Sequence, residues 1–443
     1  MFDLILQGGE LIDGSGGKRR QADLAIGGGA IVAIGSLSDA PAVKHIDCRE
    51  RVVAPGFIDI HSHSDMIVTM PHKQQMELMR GRILQGITTE MVGNCGLGVF
   101  PVDDQSLDLV VRFHQFLIPD GAEFKWETAG GYLSCLEDHG IPVNVATLAA
   151  HSPIRIKVMG YSDRYPTTSE MTAMRREVES ALDSGAYGLS FGLIYFPGRF
   201  TRTDELIELA RPVGERGGIV AFHQRSGSPE VVAQAIDEIV EVGERSGAAV
   251  HISHDHVQGK PSWSLVPGIL KREAAASDRG VMLSADVIPY TGVTTTMLAI
   301  YPSWALADGV EGFLDLATDP EKRTALKRDM ETTVPCWPPW CEGAWATNIV
   351  RDCGWEGIYI GHTNGKANKV YQGLSAVEFG KRRNKHAFDA ITDLLLEERG
   401  DVGLRLIGIS GDLEEEGPLV SFIRDPAHAF ISDAWDAGRG KPH

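Results

Sequence analysis

The sequence lacks a basic excess, a long apolar run and a dense set of cysteines. Its 443 residues have a net charge of −18 and a sequence pI near 5.3, which argues against nucleic acid or an anionic membrane surface as a partner. No apolar run is long enough to span a bilayer. Asp3 stands where a secretory signal has its basic region. The six cysteines are scattered, so we predict no disulfide framework and a cytoplasmic location.

The hydrophobic pattern changes near residue 52. Residues 1–51 contain short apolar stretches broken by glycine-rich turns, which predict an all-β unit that forms the N-terminal part of a small β domain. From residue 52 to 443, short apolar strands alternate with amphipathic helical stretches, the pattern of βα units with a parallel sheet. We predict an α/β fold, a TIM-like (β/α)8 barrel, with strands at 52–63, 86–94, 142–151, 186–192, 218–225, 248–254, 280–290 and 428–433.

Two stretches between these strands have clear helical periodicity. Residues 169–184 begin with a serine as the expected cap, and residues 229–246 place aliphatic side chains on one face. The connection 291–427 is too long for a loop and must hold an insertion, which includes the tryptophan-rich segment 335–345. Such an insertion is either a lid over an active site or additional helical packing, and the sequence leaves both open.

The segment VVAPGFIDIHSHSD at 52–65 indicates the chemistry of the chain. Its apolar, β-branched beginning predicts a strand buried on both faces. Side chains two residues apart in a strand project to the same side, so His61 and His63 point the same way from its end. This arrangement provides half of a metal site.

Other metal-ligand types follow further predicted strands, where catalytic groups of such barrels collect. These residues are Cys95, His223, His254 and Asp433. His251 and His256 are alternatives to His254 as a ligand. Imidazoles together with a thiolate favour zinc over magnesium or calcium, while iron, nickel and cobalt stay open.

Several longer motifs resemble one family. PGFIDIHSHSD, GITTEMVGNCG, GAYGLSFGLIYFPG, FHQR and HISHDH resemble the D-aminoacylase family, the N-acyl-D-amino-acid deacylases of the amidohydrolase superfamily. The resemblance implies a metal-dependent hydrolase barrel with a small β-sandwich domain. It also implies zinc-dependent hydrolysis of N-acyl-D-amino acids to a carboxylate and a free D-amino acid.

The resemblance further implies a ligand set. One tightly held zinc would be bound by Cys95, His223 and His254. A second, weaker metal position would use His61 and His63, with the cysteine as a bridge. Most two-metal amidohydrolases bridge their metals with a carboxylated lysine after strand 4, and no lysine stands at 192–195 here.

The same resemblance assigns the remaining site residues. Asp433 would be the catalytic acid and base, and Tyr195 and Tyr290 would line the substrate pocket. His256 stands where the family has a lysine that contacts the substrate carboxylate, so we expect a weaker, pH-dependent cation there.

Family members continue past the position of His443 with a final barrel helix and the C-terminal strands of the β domain. We therefore expect a truncated chain with weak or absent activity unless the missing segment is supplied. The alternatives to a deacylase are a cyclic-amide hydrolase of the dihydroorotase or hydantoinase type and a non-catalytic metal-binding barrel. Cys95 without a strand-4 lysine counts against the first, and Asp433 beside a full ligand set counts against the second.

Overall fold

A computed structural model describes residues 1–37, 39–341, 343–435 and 438. The chain divides into two compact units. One consists of Met1–Ile58 with Gly86–Thr88, and the other contains the rest of the described chain.

The N-terminal unit is built on one mixed sheet. Its strands are β1 (Phe2–Leu11), β2 (Arg20–Gly27), β3 (Ala30–Gly35), β4 (Ala42–Asp47) and β5 (Val52–Val53). The order is β3-β2-β1-β4, with β5 also pairing with β1, and a bulge between Leu6 and Gly9 interrupts the β1–β2 register. The elements of this unit are all strands. The fuller β-sandwich with further strands stays a prediction.

The large unit begins in the sixth strand. The strands that follow the N-terminal sheet are β6 (Phe57–Asp59), β7 (Ile87–Val92), β8 (Asn144–Thr147), β9 (Ala149–Ala150), β10 (Gly188–Gly192), β11 (Ile219–His223), β12 (Ala249–Ser253), β13 (Leu283–Val287), β14 (Gly292–Thr296), β15 (Ile358–Thr363), β16 (Val402–Ile407) and β17 (His428–Phe430).

Parallel pairing closes β6 to β13 and β17 into a ring. β7 pairs with β8, and β9 to β13 pair in succession until β13 meets β17. Beyond their ends, Ser62 forms a parallel bridge with Ala434, and Asp433 N–H donates to the His61 carbonyl at 3.0 Å. The predicted (β/α)8 barrel is confirmed, with β8 and β9 forming the third of its eight strands.

Helices separate the strands. The α-helices are α1 (His72–Leu78), α2 (Arg80–Leu84), α3 (Leu107–Phe113), α4 (Ala129–His139), α5 (His151–Met159), α6 (Thr168–Asp183), α7 (Thr203–Glu215), α8 (Val232–Ser246), α9 (Val266–Asp278), α10 (Gly309–Thr318), α11 (Pro320–Thr332), α12 (Ile349–Cys353), α13 (Ala376–Arg383), α14 (Ala387–Glu397) and α15 (Gly417–Arg424). Short 3-10 helices lie at Ile67–Thr69, Gly198–Phe200, Lys260–Leu265, Met297–Ile300, Ser303–Leu306 and Lys369–Tyr371.

Both predicted helices are present as α6 and α8. The serine cap predicted for the first is wrong. Thr167 is the N-cap, because its hydroxyl accepts the Glu170 N–H while the Glu170 carboxylate accepts the Thr167 N–H. In α8, Ile236, Ile239 and Val242 are fully buried, as their spacing predicts.

The first predicted strand, 52–63, is not continuous. Residues 54–56 separate β5 from β6, because Pro55 lacks the N–H that a ladder needs. Burial on both faces is also wrong here, since Val52 is 51 % exposed and Phe57 63 %. The apolar run at 52–58 therefore does not form a buried core strand.

The insertion 291–427 has its own sheet and core. β14, β16 and β15 form an antiparallel sheet in that order, and apolar side chains of the surrounding helices pack with it, among them Phe313, Phe379 and Phe388. None of the helices in the described ranges is long and apolar enough to cross a membrane. All six cysteines are free thiols.

Candidate metal centre

Five segments bring ligand-type side chains to one end of the barrel. His61 and His63 follow β6, Cys95 follows β7, and His223 is the last residue of β11. His254 follows β12, and Asp433 lies after β17. All six residues are at most 8 % exposed. The predicted metal and catalytic residues therefore meet in a single buried group.

Three of these residues have a left-handed backbone. The φ angles are 54° at Cys95, 35° at His254 and 47° at Asp433. A non-glycine residue in such a conformation costs on the order of 1–3 kcal/mol and persists only where its surroundings hold it. Here the conformation turns each side chain into the site directly after its strand.

The glycine after Cys95 has a steric role. Gly96 has a φ of +64°, and a Cβ there would lie 2.5 Å from the backbone nitrogen of Gly192. Its N–H donates to Ser190 Oγ at 2.9 Å. The Asn-Cys-Gly segment thus packs directly on β10, which fixes the position of the thiol.

The Cys95 sulfur occupies the middle of the group. Its Sγ lies 3.2 Å from Nε2 of His61 and 3.2 Å from Nε2 of His254. The ligand atoms of Cys95, His223 and His254 all lie within 4.8 Å of one another, and so do those of His61, His63 and Cys95. The structure therefore brings together two ligand triads that share one sulfur.

Asp433 faces both histidines of the H-x-H pair. Its Oδ1 lies 3.4 Å from Nε2 of His61 and 3.2 Å from Nε2 of His63. The ligand atoms of Asp433, His61 and His254 also lie within 4.8 Å of one another. The Asp433 carboxylate therefore lies next to residues of both triads.

The protonation of the group fits a metal centre. Burial opposes the thiolate, but His61 and His254 hold the pKa of Cys95 well below its ordinary value. Burial likewise opposes the charged imidazole, yet Asp433 and Cys95 raise the pKa of His63 to about 9. Burial and then His254 lower the pKa of His223. A thiolate, imidazoles and a carboxylate in one buried place are the donors that zinc prefers, so the residues fit that ion.

Asp286, and His251 through it, are hydrogen-bonded to this group. Asp286 was not predicted from the sequence, and His251 was predicted only as an alternative ligand. Asp286 Oδ2 accepts from Nδ1 of His61 at 3.2 Å and from Nε2 of His251 at 2.8 Å. Its Oδ1 accepts the backbone N–H of His254. A carboxylate within the apolar strand 283–287 requires a buried partner, and that signal could have identified Asp286.

The structure also separates the three histidines near the end of β12. His254 belongs to the ligand group, whereas His251 is bonded to Asp286 and to Ser284 Oγ. Nδ1 of His256 donates to the His254 carbonyl at 2.8 Å. Burial, then His254 and His223, lowers the pKa of His256 to about 3. This burial disfavours the charged imidazole, and a contact of His256 with the substrate carboxylate stays a prediction.

A cavity opens beside the ligands. Tyr195 lines it, is 6 % exposed, and bonds Thr295 Oγ1 through its hydroxyl at 2.9 Å. His256 lines it as well. Tyr290 does not join them: it lies in the turn after β13, is 56 % exposed, and the nearby Ile288 contacts the cavity in its place.

The insertion supplies one wall of this cavity. Most of its contributions are apolar side chains, and the full set from the insertion is Val293, Thr294, Thr295, Ile349, Leu406 and Ile409. The insertion thus both packs as a subdomain and borders the site. Trp337 and Trp340 line a different cavity, together with Arg202 and Gln234.

Comparisons with known proteins identify the family of this chain. The Amidohydrolase family profile matches residues 44–308. D-aminoacylase from Alcaligenes xylosoxydans xylosoxydans is 38 % identical over 297 residues, which span 67 % of this chain and 59 % of that relative.

Two solved structures extend the likeness to the whole chain. N-acyl-D-glutamate deacylase from Bordetella bronchiseptica, complexed with zinc and a phosphonate inhibitor, superposes with a TM-score of 0.76 at 26 % identity. A D-aminoacylase structure concerned with a binuclear metal centre gives 0.74 at 27 % identity. Each of these two alignments covers 100 % of this chain and 78 % of the chain of the solved structure.

Proposed function

The chain belongs to the amidohydrolase family, and from that membership we propose that it hydrolyses the amide bond of N-acyl-D-amino acids to a carboxylate and a free D-amino acid. The proposal rests on one observation above all: the Cys95 sulfur lies 3.2 Å from an imidazole nitrogen of both His61 and His254. The similar proteins named D-aminoacylase and N-acyl-D-glutamate deacylase support this substrate class.

We assign the tighter zinc position to Cys95, His223 and His254. A second, weaker position uses His61 and His63, with Cys95 as the shared ligand. The sharing of one sulfur between two triads supports this division. When bound, the metal supplies a Lewis acid for the scissile carbonyl and lowers the pKa of water to roughly 7.

Asp433 moves the proton. Burial opposes its ionisation, but His61 and His63 keep the pKa of this carboxyl below its ordinary value, so it is a carboxylate at neutral pH. It can accept a proton from the attacking water and return it to the departing amine nitrogen, which is a poor leaving group without one. Its 3.2 and 3.4 Å distances to the two histidines keep Oδ1 inside the site for both transfers.

Tyr195 and the apolar wall position the substrate and exclude water. Tyr195 packs its ring 5.1 Å from that of His223 and is held by Thr295, so it offers a fixed edge beside the ligands. Leu97, Ile194, Ile288 and Ile409 are among the apolar residues around it. This lining favours an apolar acyl group or side chain, because burying apolar surface is worth about 25 cal/mol per Å².

Hydrolysis assays test the proposal. N-acetylated D-amino acids, their L-enantiomers, and cyclic ureides would be incubated with zinc-loaded protein and with its Asp433→Asn variant. We expect the wild type to release the D-amino acid faster than the variant does. Cleavage of the ureides alone would support a cyclic-amide hydrolase, and zinc binding without any hydrolysis would support a non-catalytic barrel.

A further inference from the structure

A second set of metal-ligand side chains lies apart from the Cys95 group. Asp255 follows β12, Glu273 lies in α9, and His428 begins β17. Their ligand atoms lie within 4.8 Å of one another, and all three residues are buried. We call this set the Asp255–Glu273–His428 cluster.

The histidine of this cluster is oriented as metal-binding histidines are. Its Nδ1 lies 3.3 Å from Asp425 Oδ1, so the ring N–H is donated to a carboxylate outside the cluster. Its Nε2 faces Asp255 Oδ2 at 3.2 Å and Glu273 Oε2 at 3.9 Å. Ligands around an ion with bonds of about 2.1 Å are separated by roughly 3.4 Å, and these distances bracket that value.

Two oxygens of the cluster receive no hydrogen bond from an N–H or O–H group of the residues that the structure describes. They are Asp255 Oδ1 and Glu273 Oε1, which are buried in residues that are 2 % and 4 % exposed. Within the described ranges, no lysine or arginine forms an ion pair with either carboxylate. Two buried carboxylates face one imidazole, so even a protonated His428 leaves negative charge that needs a further cation.

Without a metal, a proton would have to supply that charge. A divalent ion would replace this proton, bring both carboxylates to one centre and use their free oxygens.

We propose that Asp255, Glu273 and His428 bind a structural divalent transition-metal ion, such as Zn²⁺ or Mn²⁺, distinct from the metals held around Cys95. One imidazole with two carboxylates suits these ions better than calcium, which prefers oxygen alone. The buried position gives no access for a substrate, so the ion has a structural role. It ties α9 and β17 to the end of β12, beside the backbone of His254.

Anomalous scattering tests this on the unaltered protein. Crystals grown with a small excess of Zn²⁺ would be measured on both sides of the zinc absorption edge. We expect an anomalous peak between Glu273 and His428 that is separate from any peak at Cys95. A map with no peak between Glu273 and His428, whatever the Cys95 position shows, would overturn the proposal.

A substitution gives an independent measurement. Glutamine has the shape of a protonated glutamate, so Glu273→Gln preserves a proton-sharing network but removes a metal ligand. By elemental analysis, we expect this variant to contain one metal equivalent per chain fewer than the wild type. The control Glu244→Gln on α8 should have the same metal content as the wild type. Equal metal content in Glu273→Gln and wild type would show that the cluster only shares a proton.

Discussion

The carboxylate of Asp286 lies 3.2 Å from Nδ1 of His61, on the far side of the imidazole ring from the Cys95 sulfur. Burial opposes the ionisation of Asp286, but His61 and His251 hold its pKa well below the ordinary value, so it accepts the Nδ1 proton. Nε2 of His61 is then directed towards Cys95. The same carboxylate holds the left-handed backbone at His254, so one residue orients ligands of both triads.

Replacing Asp286 should therefore weaken metal binding without removing a ligand. We expect Asp286→Ala to lower zinc affinity about 10- to 100-fold, as the loss of such supporting carboxylates does. Asp286→Asn should lower zinc affinity by a smaller factor. Competition with a coloured chelator measures the affinity. Asp278→Ala on the exposed end of α9 is the matched control. Wild-type affinity in Asp286→Ala would show that the carboxylate does not orient the ligands.

Metal binding at the His61 and His63 position should depend strongly on pH. Because the pKa of metal-free His63 is about 9, this imidazole is protonated at neutral pH and the proton must leave when a metal binds. Affinity should therefore rise as pH rises towards 9, by about tenfold per pH unit for each proton displaced. Calorimetric titrations from about pH 6 to pH 8 measure this slope. His63→Gln should reduce the number of protons displaced on metal binding by one, which lowers the slope. A slope unchanged by that substitution would contradict the assignment of His63 as a ligand.

Asp433→Asn should separate chemistry from metal binding. The amide cannot accept a proton from water, and general acid–base groups contribute about 10²- to 10⁴-fold to rate. We expect kcat to fall by that factor while the zinc content stays at the wild-type value. Elemental analysis and hydrolysis on the same samples measure both. A variant with wild-type kcat would exclude Asp433 as the proton carrier.

A buried ion pair near the site gives a stability prediction. Arg225 of the FHQR segment donates to Glu238 at 2.8 and 3.0 Å, and both side chains are 1 % exposed. Glu238→Ala would leave an uncompensated guanidinium, which costs about 3–5 kcal/mol of unfolding free energy. Denaturant titration measures the loss. Glu241→Ala, one turn along the same helix at an exposed pair, should change stability by less than about 0.5 kcal/mol.

The sequence predicted which ligand-type side chains converge more successfully than it predicted the elements around them. Ligand-type residues at the ends of apolar strands predicted the convergence of His61, Cys95 and His254, because parallel strands of a barrel end at one face. Asp286 was missed because its role depends on pairing across β12 and β13, which periodicity does not reveal. Tyr290 does not line the cavity as predicted for a related reason. The turn after β13 directs its side chain to solvent, and only tertiary structure fixes that direction.

The central claim is that Cys95 is a ligand shared by the metal centre. Zinc content per chain, measured by elemental analysis on the wild type, Cys95→Ala and Cys135→Ala, tests it most directly, since Cys135 is a free thiol on α4 away from the site. We predict that Cys95→Ala loses the zinc bound at the barrel end and that Cys135→Ala retains it. Undiminished zinc in Cys95→Ala would contradict the ligand assignment and the function proposed from it.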